Sequence, residues 1–165
     1  MKVAIFSDLH DNIPNLNLFL SWVKKHKIGN LIFCGDLANV ETLKYLAESF
    51  TDKIYMVGGN ADSFYLADTK KFKNLVYAED KLEFKLDNQK ILIVHKPTDL
   101  KKILAEGNGG FDFAFHGHTH KPWFSQQDGL IIANPGTLKE IFGKSSFALL
   151  DTETGKLELK ILETL

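Results

Sequence analysis

Apolar runs alternate with amphipathic stretches through the first half of the chain, and this order predicts strands joined by helices. Short apolar segments at 2–6, 31–34 and 54–57 are typical of buried strands. Between them, apolar side chains recur at helical spacing from Pro14 to about His26 and again from Glu41 to Phe50. A strand–helix–strand–helix–strand order implies parallel pairing with right-handed crossovers.

The second half of the chain carries mostly strand patterns. An alternating segment at 82–86 and an apolar segment at 90–94 flank a turn, which indicates an antiparallel hairpin. One further helix is expected from Thr98 to Glu106, and further strands are expected at 111–115, 122–126, 130–133, 146–150 and 157–162. Two sheets packed face to face with helices outside satisfy this order. We therefore expect an α/β protein that forms one domain over residues 1–165.

Composition removes several functional classes. Twenty Lys+Arg against 21 Asp+Glu leave a net charge of -1, which argues against broad electrostatic binding of nucleic acids. All basic residues are lysine, so a phosphate group would be held without a guanidinium fork. Cys34 is the one cysteine and fits a reducing compartment as a small buried hydrophobe. No signal peptide or membrane-spanning run is recognisable, so we expect a cytoplasmic protein.

Side chains that can bind a metal follow the ends of the apolar strands. Seven of them are Asp8, His10, Asp36, Asn60, His95, His118 and His120, with Asn39, His116 and Asn134 nearby in the sequence. Because the carboxyl ends of parallel strands gather at one edge of a sheet, these residues should converge. Asp and Asn also cap loops, and a histidine can be structural, so each residue alone is ambiguous. Together, seven ligands suffice for two sites that share a bridging carboxylate.

The pattern also resembles a known family. The segments SDLH, GD, GNAD, H and GHTH stand in order at 7–10, 35–36, 59–62, 95 and 117–120. They resemble the motifs of the calcineurin-like metallophosphoesterase superfamily, and the short length with NPGT at 134–137 resembles its compact prokaryotic phosphodiesterase branch. The resemblance runs from Asp8 to about Asp151 and implies a four-layer α/β/β/α sandwich with two mixed sheets.

The resemblance further implies which residues bind each metal ion and which are catalytic. One divalent ion would be held by Asp8, His10 and His120, the other by Asn60, His95 and His118, with Asp36 as the bridge. Mn²⁺ is our first expectation, and Ni²⁺, Fe²⁺, Zn²⁺ or Co²⁺ also suit these ligands. A bridging hydroxide would hydrolyse a small phosphate diester, with Asp36 and Asn60 catalytic and Asn60 also contacting a phosphate oxygen.

Two positions depart from the family pattern. Ala61 stands where larger relatives have a histidine that is a candidate general acid, which implies a preference for good leaving groups or protonation by water or another residue. Lys96 stands where relatives often have glycine. Its side chain would crowd the metals, contact the substrate phosphate, or point to solvent.

Other interpretations stay open at this point. A phosphomonoesterase or nucleotidase would use the same centre, and a eukaryotic retromer subunit keeps this fold as a protein-interaction scaffold with eroded metal motifs. Exposed apolar residues are expected at Phe64, Tyr65 and Trp123, which leaves a homo-oligomer contact open. We expect His116 to belong to its strand or to a supporting hydrogen bond, and Asp62 to orient neighbouring groups.

Overall fold

Two mixed sheets form the centre of the molecule. The computed structural model describes residues 1–107, 109–140 and 143–165. In chain order the strands are β1 (Lys2–Phe6), β2 (Asn30–Phe33), β3 (Lys53–Val57), β4 (Leu75–Ala78), β5 (Lys81–Leu86), β6 (Gln89–Val94), β7 (Phe113–Phe115), β8 (Trp123–Gln127), β9 (Leu130–Asn134), β10 (Ser146–Asp151) and β11 (Lys156–Ile161). The helices are α1 (Ile13–Lys25), α2 (Val40–Ser49), α3 (Leu66–Thr69) and α4 (Pro97–Ala105), and a 3₁₀ turn follows at Leu162–Thr164.

The first sheet has the order β11-β10-β1-β2-β3-β4. Strands β1 to β4 are parallel to one another, and β10 pairs antiparallel with both β1 and β11. Helices α1 and α2 cover one face of it. Phe19 of α1 packs on Phe6 of β1, with ring centroids 4.7 Å apart, and Leu43 and Leu46 of α2 join the same cluster.

The second sheet has the order β5-β6-β7-β9-β8, in which β6, β7 and β9 are parallel. Leu100 of α4 packs against Leu92 and Val94 of β6 on the outer face of this sheet. The inner faces of the two sheets bury a separate cluster that includes Ile5 and Phe113. Because alternate strand residues face opposite sides, each sheet supplies both an inner and an outer layer. The predicted four-layer α/β/β/α sandwich is confirmed.

The sequence pattern did not predict two short elements, β4 and α3, each of four residues. Neither is long enough to show a period. Phe64 was expected on the surface, and this is wrong, because its side chain is 5% exposed and packs into the helix-side core. Tyr65 and Trp123 are exposed as expected. None of the helices in the described part of the chain has the length and apolar character that crossing a bilayer requires.

Candidate metal centre

Loops from both sheets meet at the carboxyl ends of the parallel strands. The loop after β1 lies on the loop after β2, where the N–H groups of Asp8 and Leu9 donate to the carbonyls of Gly35 and Asp36 over 3.0 and 2.9 Å. The Asp8 carboxylate also accepts the backbone N–H of His118, from the other sheet, over 3.0 Å. Ligand-type side chains from five strand ends therefore share one edge of the sandwich, as the sequence predicts.

One cluster at this edge contains Asp8, His10 and His120, whose ligand atoms all lie within 4.8 Å of one another. Asp8 is fully buried, and its Oδ1 lies 3.2 Å from His120 Nε2. The Nε2 atom of His10 is buried without a hydrogen-bond partner among the described residues. Its nearest carboxylate oxygen, Asp36 Oδ2, is 3.5 Å away. An unpartnered nitrogen beside a carboxylate and a second imidazole is available to bind a metal ion.

A second cluster contains Asp36, His95 and His118, again with ligand atoms within 4.8 Å of one another. His95 Nε2 lies 3.0 Å from Asn60 Oδ1, 3.2 Å from His118 Nδ1 and 3.4 Å from Asp36 Oδ2. Asp36 Oδ2 is thus within 3.5 Å of a nitrogen in each cluster. Carboxylate, amide and imidazole donors converge here without a thiolate, which fits a borderline divalent cation.

The second cluster is oriented by its supporting hydrogen bonds. His95 shares its Nδ1 proton with the Cys34 carbonyl over 2.8 Å, which directs Nε2 into the cluster. Burial lowers the pKa of His95, but Asp36 and the Cys34 carbonyl outweigh burial and raise it. Burial raises the pKa of Asp36, but hydrogen bonds from His95 and from the Ala61 N–H outweigh burial and lower it. Asp36 therefore stays ionised.

In the first cluster the pKa shifts have the opposite directions, because the pKa of the carboxylate is raised and that of a histidine is lowered. Burial raises the pKa of Asp8, and the nearby charge of Asp36 raises it further, against the hydrogen bond from Ser7 and the attraction of His95 and His120. Burial likewise lowers the pKa of His10, which keeps its imidazole neutral. A neutral imidazole beside crowded carboxylates is the state in which histidine ligates metals.

Five of the seven sequence-predicted ligands adopt a left-handed backbone. The φ angles are 52° for Asp8, 46° for His10, 64° for Asp36, 68° for His118 and 59° for His120. Non-glycine residues seldom adopt positive φ, and clusters of such residues mark functional sites. Half of the ten described non-glycine residues with positive φ are therefore candidate ligands.

Two residues that are not candidate ligands fix these loops, the half-buried Asp62 and the buried Asn134. Asp62, which the sequence predicts to orient its neighbours, accepts hydrogen bonds from the N–H groups of Leu37, Ala38 and Gly59 over 2.6–2.9 Å. It ties the loop after β2 to the loop after β3. Asn134 donates to the Gly117 carbonyl over 3.0 Å and stabilises the GHTH segment.

The remaining predicted residues lie outside the two clusters. His116 is buried, and its Nδ1 contacts the Gly117 carbonyl at 3.0 Å, whereas its Nε2 has no partner within the described ranges. Asn39 begins α2 by accepting the Thr42 N–H over 2.9 Å and does not join the clusters. Lys96 is exposed, and it lines a groove of about 290 Å³ that also reaches Asn60 and His95.

Sequence reasoning missed two supporting residues. Thr137 donates through Oγ1 to the Asp8 carbonyl over 2.7 Å. Asp11 accepts from Thr42 Oγ1 over 2.6 Å and from Asn39 Nδ2 over 2.7 Å, so it links the loop after β1 to α2. Thr137 stands in the NPGT segment and Asp11 directly follows His10, so proximity to the motifs was the available signal.

Comparison with known proteins gives a family match over most of the chain. The family model of the calcineurin-like phosphoesterase superfamily domain matches residues 1–155. The chain belongs to the calcineurin-like phosphoesterase superfamily. Calcineurin-like phosphoesterases are metal-dependent, and this chain is a phosphoric ester hydrolase with two candidate metal-binding clusters.

Individual relatives cover the same length. The phosphodiesterase MJ0936 of Methanocaldococcus jannaschii is 27% identical over 99% of this chain and 100% of its own length. A solved archaeal phosphodiesterase is 25% identical with a TM-score of 0.86, over 98% of this chain and 99% of its own. YfcE, a phosphoesterase from E. coli, shares the fold with a TM-score of 0.70 at 20% identity, over 98% of this chain and 100% of its own.

Proposed function

We propose that this calcineurin-like phosphoesterase is a phosphodiesterase that hydrolyses small phosphate diesters at a centre for two divalent ions. One observation carries the proposal: Asp36 Oδ2 lies 3.5 Å from His10 Nε2 and 3.4 Å from His95 Nε2. A carboxylate oxygen between two ligand sets is the arrangement that a shared, bridging ligand requires. Similarity to the phosphodiesterase MJ0936 over the whole chain supports the choice of a diester substrate.

The residues divide into two ligand sets around this bridge. Asp8, His10 and His120 would hold one ion, and Asn60, His95 and His118 would hold the other. When bound, two such ions neutralise charge on the phosphate oxygens and lower the pKa of a water molecule. The nitrogen and oxygen donor set makes Mn²⁺ our first choice, with Ni²⁺, Fe²⁺, Zn²⁺ and Co²⁺ as alternatives.

The groove beside the second cluster would receive the substrate. Asn60 is exposed there, and because its Oδ1 faces His95 at 3.0 Å, its amide N–H groups are free to donate to a phosphate oxygen. Lys96 lines the same groove and adds a cation within reach of a phosphate. Ala61 offers no proton to a leaving group, so we expect esters of acidic alcohols to react fastest.

Hydrolysis of bis-p-nitrophenyl phosphate by Mn²⁺-loaded protein tests the proposal. Asp36→Asn and His118→Ala should lower kcat by about 10² or more, since each removes a metal ligand. His26→Ala is the matched control, because this exposed histidine lies at the end of α1, outside both clusters. Metal-loaded wild-type protein without activity would instead favour the protein-interaction scaffold.

Two comparisons refine the assignment. A higher kcat/KM for p-nitrophenyl phosphate than for the diester would favour the phosphomonoesterase or nucleotidase alternative. For the groove, Lys96→Gly should raise KM for the diester with little change in kcat, because the side chain would bind substrate and transition state alike. Unchanged kinetics would dismiss Lys96 as a substrate contact.

A further inference from the structure

Strand β8 is an edge strand that lacks the usual protection against pairing with another chain. Among the strands of the described ranges it pairs only with β9, and all five of its residues, WFSQQ, are exposed. Trp123 is 39% exposed and Phe124 is 50% exposed. Charged side chains on an edge strand normally prevent it from pairing with another chain, and β8 has none.

The other sheet edges are protected. Strand β5 carries Lys81, Glu83 and Lys85 in alternation, and these three residues are exposed. Strand β11 carries Lys156, Glu158 and Lys160, joined by ion pairs of 2.6 and 2.9 Å. Strand β4 is half-buried at every position, and the chain passes from it to the second sheet within two residues. Of the four edge strands in the described part of the chain, β8 alone is both uncharged and exposed at every position.

The hairpin geometry fixes which backbone groups of β8 point outward. Asp128 and Gly129 form a two-residue turn with φ angles of 50° and 83°, and Gln127 is opposite Leu130. In such a turn the closing pair is hydrogen-bonded, and hydrogen-bonded and non-hydrogen-bonded pairs then alternate. Phe124 and Gln126 therefore direct their N–H and C=O groups away from β9. Outside the strand ladders, no backbone hydrogen bond involves these groups among the described residues.

We propose that β8 pairs antiparallel with β8 of a second copy of this chain, about a two-fold axis at Ser125. In this register Phe124 stands opposite Gln126 of the second copy, and both exchanges of backbone hydrogen bonds are made. Pro122 limits the pairing at one end because it lacks an N–H group. The same patch serves both copies, so the interface closes and does not propagate.

Charge complementarity identifies a second copy as the occupant. Lys121 and Asp128 flank the uncharged stretch at opposite ends, and neither has an ion-pair partner within the described part of the chain. Antiparallel pairing about Ser125 sets Pro122 opposite Asp128 of the second copy, so Lys121 of each copy lies next to that carboxylate. Trp123 and Phe124 lose solvent exposure against the glutamine side chains opposite them.

Sedimentation analysis of the full chain tests this interface. Wild-type protein should be a dimer at about 100 µM, and Phe124→Lys with Gln126→Lys should raise the dissociation constant by at least about tenfold. In that variant each introduced lysine faces another lysine. Tyr65→Lys is the matched control, since Tyr65 is 76% exposed in the connection between β3 and β4 of the other sheet, and its dimer should persist. Circular dichroism would verify that each variant is folded.

A charge exchange tests the register. Lys121→Glu should weaken the dimer, and adding Asp128→Lys to that variant should restore it, because the pair is then reversed. Monomeric wild-type protein, a dimer that survives the double lysine variant, or a dimer lost in Tyr65→Lys would each overturn the proposal. Failure of the rescue would overturn the Ser125 axis. Phosphodiesterase activity is measured separately, so this outcome is independent of the proposed function.

Discussion

A methyl group added at Gly59 should disrupt the candidate metal centre through direct contact. Gly59 follows β3 and lies against the loop that carries Asp36. A Cβ there would overlap Asp36 N and Oδ1 and would lie 2.9 Å from Asp36 Cα. Carbon atoms pack best at about 3.5–4.0 Å, so the two loops must separate by roughly 0.6 Å or more. Asp62 holds Gly59 N–H over 2.7 Å and resists this movement.

The size of the effect follows from these contacts. Overpacking of this kind costs about 1–3 kcal/mol of unfolding free energy. For a chain of this length, that corresponds to a fall in Tm of roughly 2–12 °C. The displaced group is the carboxylate between both clusters, and a shift approaching ~1 Å at such a position costs about 10²-fold in rate. Activity should therefore fall more steeply than stability.

Calorimetry and hydrolysis of bis-p-nitrophenyl phosphate at saturating Mn²⁺ would measure the two effects. Gly29→Ala is the matched control, because no atom lies within 4 Å of its Cβ and its φ is not in the left-handed region. That variant should keep full activity and gain about 0.4–1 kcal/mol from reduced chain entropy. Wild-type kcat/KM in Gly59→Ala would refute the argument that the loops of Asp36 and Asn60 must touch.

Three further outcomes are expected. His116→Phe should keep its metal stoichiometry in elemental analysis and stay within about 1 kcal/mol of wild type in urea unfolding, because one modest hydrogen bond is lost with an unpartnered nitrogen. Asn134→Ala should lose at least about 2 kcal/mol in the same assay, since the buried groups that it bonds are left unpaired. Metal binding at pH 7 should release protons, as seen by calorimetry in two buffers, because the raised pKa of His95 keeps part of it protonated. By the same shift, His95 stabilises the metal-free fold fully below its ordinary pKa and loses this contribution as the pH rises through the raised value, and His95→Gln should remove this pH-dependent contribution to stability.

The sequence was most informative where residue type and strand position coincide. Apolar strands ending in Asp, Asn or His predicted both the sandwich and the edge where the clusters lie. The pattern could not show that Phe64 is buried, because its burial depends on how the connection between β3 and β4 folds back on the helix-side core. Likewise, Thr137 approaches Asp8 from 129 positions away, a contact that only the sheet order β10-β1 creates.

The residues with a left-handed backbone bear on whether the candidate metal-binding side chains are held in place before a metal binds. Asp8, His10 and Asp11 adopt φ angles of 52°, 46° and 60°, and such conformations cost about 1–3 kcal/mol each. The N–H groups of residues 8 to 11 each donate to the loop after β2, over 2.9–3.1 Å, and such bonds contribute about 0.5–1.5 kcal/mol each. The neighbouring loop therefore offsets much of the strain by itself. It follows that the ligands are held in position by protein contacts, so their arrangement should persist in metal-free protein.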